Sequence, residues 1–229
     1  MPKTLPATST FPGLLLYLLN ILSKAVLAQF MSEASVSPRA ADPVGILTVQ
    51  IFSTPDLTWS GTSLIDILIC KYHVLCPVLW GIYGPEATSA GKSRLGWWRD
   101  GPDGPWIPEQ RHTERMTGLG AGFAAISLRN FAKSKHANPY PNYHYWQALQ
   151  SIVSVRKEDA QPTHFVVLKA MVENNVWRIL EFYGNAGKLA LQKALVEFPN
   201  TGGEGARSVA ARAVGTLKDV LRRDQNFTI

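Results

Sequence analysis

Two guanidiniums and two glycines recur at helical spacing near the middle of the chain. Arg111, Arg115, Gly118 and Gly122 stand at i, i+4, i+7 and i+11, one stripe of a helix at 3.6 residues per turn. Cations at one end of the stripe suit an anionic group. Missing side-chain bulk at the other end lets a backbone or a ligand come close. An interior glycine costs a helix about 1 kcal/mol relative to alanine, so Gly118, Gly120 and Gly122 ask for such an approach. Tight helix packing beside two solvated arginines satisfies the same pattern, and the stripe alone leaves both open.

Other candidate chemistry is thinner. Gly91, Lys92 and Ser93 imitate the end of a phosphate loop, but position 86 is Glu where that loop needs Gly. A strand must also precede the motif and a helix follow it. Gly118, Gly120 and Gly122 fall short of a dinucleotide fingerprint and sit inside a helix. His73 and Cys76 lie one helical turn apart, without a third group to orient a thiol–imidazole pair. The histidines share no metal spacing, and Cys70 and Cys76 lack the second pair that a structural zinc site needs. Both are expected as buried free thiols in a reducing compartment. No paired carboxylates stand out, so the chain is not expected to be an enzyme.

The 229 residues are 46% hydrophobic and 17% charged, with a net charge of +6. That is a globular composition, long enough for one elongated domain over 1–229. The positive sign favours anionic partners. No long Lys/Arg run occurs, which weighs against sequence-specific contact with nucleic acid. The apolar run from Leu14 to Leu22 resembles a signal-peptide core, with Val26, Leu27 and Ala28 as a possible cleavage site. Asn20 interrupts it and Lys3 is the only preceding cation. The run reads better as a buried first helix than as a cleaved or membrane-inserted segment, and Met1 could mark the start of an excised fragment.

The rest of the pattern is helical, punctuated by Pro and Gly. Helices are expected over about 12–33, 42–52, from Thr62 or Ser63 to Cys76, 109–135, 162–183, 186–198 and 206–223, with one more after the Asn138 to Pro141 turn that bears Tyr145, Trp146, Leu149 and Ile152. Thr201 to Gly205 reads as a flexible linker. Residues 77–108 form a long irregular insertion whose Trp97, Trp98 and Trp106 argue for self-packing. The fold class is all-α: an irregular, HEAT-repeat-like array of antiparallel helix pairs.

Several segments together carry a family resemblance. They are Lys71 to Val78, Glu114 to Gly118 within the stretch Arg111 to Arg129, the Pro-rich turn Asn138 to Pro141, and the following His144, Tyr145 and Trp146. Along essentially its whole length the chain resembles the C-terminal domain of the GLFG-lethal-one family, mRNA-export mediators of the nuclear pore, in a fungal form. The resemblance implies an all-α, HEAT-like, non-catalytic domain at the cytoplasmic face of the pore. It implies that the domain binds a DEAD-box RNA helicase and stimulates its ATPase cycle. It also implies inositol hexakisphosphate as the bridge between the two proteins, and a docked C-terminal segment of a phenylalanine-glycine nucleoporin.

On that footing the polyphosphate is expected at Lys71, Arg111, His112 and Arg115, with Lys24, Lys92 and Arg94 as possible additions. The helix before Cys76 would neighbour the one that opens at Glu109, where free backbone N–H groups also favour anions. The nucleoporin segment is expected in a groove near Trp177, Phe182 or Tyr183. The competing possibility is an enzyme acting on phosphorylated small molecules with the same basic pocket.

Overall fold

A computed structural model describes residues 11–101, 103–200 and 205–225. Nine α-helices are described: α1 (Gly13–Gln29), α2 (Ala41–Phe52), α3 (Asp66–Leu75), α4 (Ser89–Arg94), α5 (Glu109–Ser127), α6 (Tyr143–Val153), α7 (Pro162–Val172), α8 (Val176–Gln192) and α9 (Val209–Gln225). The sheet content is one hairpin, Thr58–Trp59 paired with Thr62–Ser63. The fold is all-α.

α5 is the central post. Its Met116, Leu119, Phe123 and Ile126 are fully buried, as their spacing requires of the core face. The glycine stripe is consumed by packing. A Cβ on Gly118 would overlap the Phe30 carbonyl, and one on Gly122 would stand 2.5 Å from the Phe30 ring. Gly120 meets the Val167 backbone of α7 in the same way. Tight packing, not a ligand, explains the glycines. α2 and α7 also pack against this post, and α9 packs on α7.

Several expectations are corrected. The 109–135 helix stops at Ser127, and the Arg129 side chain there folds back to bond the Ala125 carbonyl and Asp42. The expected helix 162–183 is two helices, because Asn175 breaks it and its side chain bonds the Met171 carbonyl at 3.0 Å. Gly184 does end a helical segment, as expected: at φ 53° and ψ −130° it is non-helical and separates residues 176–183 from the stretch that follows, both carried here as α8. Thr62 and Ser63 are strand residues rather than a cap, although Ser63 Oγ accepts the Ile65 N–H. The last helix starts at Val209.

The first helix is buried on one face only, where Leu19, Val26 and Leu27 join the core. Leu14, Tyr17, Leu18 and Ile21 are exposed, Leu14 at 71%. Gly13–Ala34 is the one described helix long and apolar enough to cross a membrane by length and composition. Lys3 and residues 201–204 of the expected linker lie outside the described residues, while Gly205 is buried against the Ala160 carbonyl. The insertion 77–108 is partly ordered by its own elements. Pro77–Trp80 form a 3-10 turn, α4 carries Gly91, Lys92 and Ser93, and Arg99 bridges to Trp106.

Candidate anion-binding site

The site forms where the 96–107 hairpin lies along the first turns of α5. Trp97 and Trp98 are consecutive in extended backbone, so their rings point to opposite sides. Trp97 stacks on His112, with centroids 4.1 Å apart. Trp98 lies over Arg115, whose guanidinium carbon is 3.5 Å from the ring centroid. Positions 112 and 115 of one helix thus receive the two faces of one strand.

On the Trp97 side the polar side chains are linked to one another, with only His112 Nδ1 lacking a hydrogen-bond partner among the described residues. Trp97 Nε1 donates to Glu86 Oε1 at 2.7 Å, and Thr163 Oγ1 donates to the same oxygen at 3.1 Å. The Thr163 hydroxyl therefore accepts from His112 Nε2, 2.9 Å away. Burial pushes His112 down to about 3, with the nearby Arg115 and Lys92 charges adding to the effect. Lys92 Nζ sits 4.6 Å from the Trp97 ring centre and Arg99 sits 4.3 Å from that of Trp106. This chain of contacts pins the insertion to α5 and α7.

The Trp98 side is unbalanced. Arg115 is 8% exposed, yet its one hydrogen bond is from Nη1 to the Gly96 carbonyl at 3.3 Å. Its Nε and Nη2 atoms have no hydrogen-bond partner among the described residues. Burial pulls its pKa down to about 10, with a smaller push from the Arg111 charge, and it remains cationic at neutral pH. A buried, unpaired guanidinium is costly, and its unpartnered N–H groups are the donor chemistry an anion needs, although both nitrogens are themselves covered from solvent. The acidic residues of this helix face elsewhere: Glu109 and Glu114 line an 820 Å³ cleft between α5, α7 and α9.

The expected residues separate accordingly. Arg111 and Arg115 come together, Arg111 being exposed one turn before Arg115. His112 is corrected out of the set, because a neutral, buried imidazole hydrogen-bonded to Thr163 cannot hold a phosphate. Lys92 lies over the rings on the opposite side of the strand. Arg94 is exposed at the end of α4 and leans on Gly84. Tyr72 Oη donates to the Leu119 carbonyl while Cys76 lies beside Arg115. α3 and α5 therefore run in opposite directions here. Lys71 falls level with Gly120, about 13 Å along α5 from Arg111 at 1.5 Å per residue. Lys24 is exposed on α1, which packs on α3.

The groove residues also divide, because successive helix positions point 100° apart. Phe182 lines a 570 Å³ cavity with Ile46, Arg129 and Arg178. Tyr183 faces α6, where its hydroxyl donates to the Asn142 carbonyl at 2.6 Å. Trp177 is exposed. These three residues do not form one groove. An apolar cleft of 430 Å³ lies nearby instead, between Trp146, Leu149 and Val153 of α6 and Ala186, Leu189 and Ala190 of α8.

Of the two free thiols expected to be buried, Cys70 is exposed. Cys76 is buried and pushed up to about 12 by desolvation, and His73 stacks on Trp80 at 3.7 Å. Trp98 is the site residue that spacing did not single out. Its signal was the Trp–Trp dipeptide in an extended stretch, which sends one ring outward.

The fold and site define a helical scaffold with a cationic, aromatic surface. Among the described residues no group of three or more His, Cys, Asp or Glu side chains is placed to hold a metal. The family model described as GLE1-like protein matches residues 2–195, and the chain belongs to that family. It is 50% identical over 218 residues to the mRNA export factor GLE1 of Chaetomium thermophilum, covering 95% of this chain and 40% of that protein. It is 27% identical to mRNA export factor GLE1 of Saccharomyces cerevisiae, over 76% of this chain and 32% of that one. The chain thus spans well under half the length of these relatives. Two solved S. cerevisiae complexes, each of a Dbp5 C-terminal domain bound to Gle1 and IP6, contain a similar fold. In each the TM-score is 0.78 at 24% identity, covering 93% of this chain and 70% of the matched one.

Proposed function

We propose that this chain is the helicase-engaging part of an mRNA-export factor at the cytoplasmic face of the nuclear pore. It binds a DEAD-box RNA helicase across an interface bridged by inositol hexakisphosphate and stimulates the helicase ATPase cycle without chemistry of its own. Membership of the GLE1-like family supports this, as do the Dbp5 and IP6 named with the yeast structures of the same fold. The observation that carries the ligand assignment is Arg115, a buried cation with two unpartnered nitrogens beside the exposed Arg111.

A polyphosphate suits that donor set. Charge-assisted phosphate contacts contribute on the order of 1.5–3 kcal/mol each when donors are fixed, and Arg115 is fixed by Trp98 and Gly96. Arg111 and Arg115 hold one edge of the ligand, Lys71 reaches toward it from α3, and Lys24 and Arg94 are outlying cations. The scaffold activates by binding the open arrangement of the helicase lobes more tightly than the closed one, since only differential affinity shifts a population. A phenylalanine-glycine nucleoporin segment docks in the apolar cleft between Trp146 and Leu189.

The test is calorimetric titration of inositol hexakisphosphate into wild type and Arg111→Gln/Arg115→Gln, with a helicase ATPase assay in parallel. The double variant should lose polyphosphate binding and polyphosphate-dependent stimulation. Undiminished binding removes Arg111 and Arg115 from the site. Turnover of the polyphosphate by the chain alone would replace the scaffold with an enzyme.

A further inference from the structure

Trp98 is held in a way that the polyphosphate does not require. Arg115 covers one face of its indole at 3.5 Å. The residue is nevertheless 41% exposed. No other ring or cation among the described residues packs on it. The backbone behind it is anchored, with the Ile107 N–H donating to the Trp98 carbonyl at 3.0 Å. The neighbouring Trp97 is locked into the Glu86–Thr163–His112 network. An exposed tryptophan on a fixed strand, backed by a guanidinium, is a rigid stacking platform.

The charge shown against it is cationic: Arg115 lies over the ring and the exposed Arg111 stands one helical turn before it, while Lys92 and Arg99 pack on Trp97 and Trp106. Three of the acidic residues of the region are engaged elsewhere. Glu86 is bonded on the Trp97 side, and Glu109 and Glu114 line the cleft toward α9. Asp100 and Asp103 lie in the turn of the hairpin. Inositol phosphates carry no π-face, whereas every nucleobase does. Cations beside an open aromatic face are the elements of sequence-tolerant single-strand binding.

We infer that Trp98, with Arg111 and Arg115, forms a contact site for single-stranded RNA: a base stacks on the free face of Trp98 and the adjoining phosphate pairs with Arg111. The contact is not sequence-specific, because stacking and a phosphate pair read no base edge. It extends the export-factor proposal without depending on it. RNA leaving a bound helicase would meet this surface, and a polyphosphate on Arg111 would compete with it.

The experiment measures fluorescence anisotropy of a labelled 12-nucleotide oligouridylate at 50 mM and 200 mM salt. Inositol hexakisphosphate calorimetry is run on the same proteins. Wild type should bind RNA, more weakly at the higher salt. Trp98→Ala should weaken RNA binding about 5- to 150-fold, the range of one base–aromatic stack, and polyphosphate binding by a clearly smaller factor, through a looser hold on Arg115. Trp98→Phe should restore most of the RNA affinity, and Arg111→Gln should weaken both ligands. Thermal melts of all variants show that the fold is retained. The inference is overturned if wild type fails to bind at 50 mM salt, or if Trp98→Ala binds RNA within twofold of wild type. It is also overturned if Trp98→Ala loses both ligands equally, since Trp98 then only props Arg115. Loss of the polyphosphate arm alone would sink the bridging proposal and leave this one standing.

Discussion

The carbonyl of Phe30 occupies the space where a side chain on Gly118 would begin. The turn after α1 therefore lies directly on the α5 backbone, and the helix accepts glycine's cost to allow it. Gly118→Ala should lower stability by about 1–3 kcal/mol, the usual price of overpacking a filled core. Gly13→Ala has nothing within 4 Å of the added atom. It should be neutral or stabilising by up to about 1 kcal/mol. Denaturant midpoints decide this, and equal midpoints for the two variants would contradict the packing assigned to the stripe.

Gly184 poses a different restriction. Nothing stands within 4 Å of an added Cβ, but φ is 53° and ψ is −130°. That backbone region is nearly closed to other residues, so Gly184→Ala should cost on the order of 1–3 kcal/mol through conformation alone. The α8 bend also shapes the Trp146–Leu189 cleft. A wild-type melting curve for this variant would show that the bend is not needed.

Asp42 joins three parts of the chain. Its carboxylate takes two bonds from Arg178, at 2.6 and 2.7 Å, and one from Arg129 at 2.7 Å. The Arg178 hydrogen bond, with help from Arg129, holds its pKa below the ordinary value against the opposing effect of burial. Folding is therefore favoured above the unfolded carboxylate pKa, and that stabilisation is lost as pH falls through the folded one. Asp42→Asn should cost about 1 kcal/mol at neutral pH, solvent screening keeping it modest. The difference from wild type should shrink in strong acid and in high salt. A difference that persists unchanged under both conditions would rule out charge pairing as its source.

Two buried histidines set the opposite end of the acid response. Burial pushes His112 down to about 3 and His164 down to about 4, from an ordinary 6.5. Between those limits the unfolded chain binds protons that the folded chain refuses, so stability falls on acidification below 6.5. Each contributes up to about 1.4 kcal/mol per pH unit. Urea midpoints should drop from pH 6.5 to pH 5 (roughly the onset of carboxylate titration) in wild type. They should drop less in His112→Gln/His164→Gln, and parallel slopes would show that neither histidine is buried in its neutral form.

Local patterning reached much of this molecule. The apolar period of Met116, Leu119, Phe123 and Ile126 predicted the buried face of α5. The turn at Asn138 to Pro141 announced α6, and Pro162 announced α7. Where patterning failed, a distant group had intervened. Arg129 leaves the helix to reach Asp42, 87 residues away in sequence. Asn175 interrupts an apolar run that still looks continuous. Leu14 to Ile21 read as core because apolar residues are usually covered, yet the described residues leave that face open.

Sequence alone determined the helical class, the positive balance and the adjacency of Arg111 and Arg115, because these depend on residue type and on spacing within one turn. Only tertiary structure separated His112 from its two neighbours. Three positions of one helix met two faces of a strand, and the strand buried one cation under Trp98 while neutralising the imidazole under Trp97. Burial is decided by what arrives from elsewhere in the chain, and a one-dimensional spacing carries no record of it.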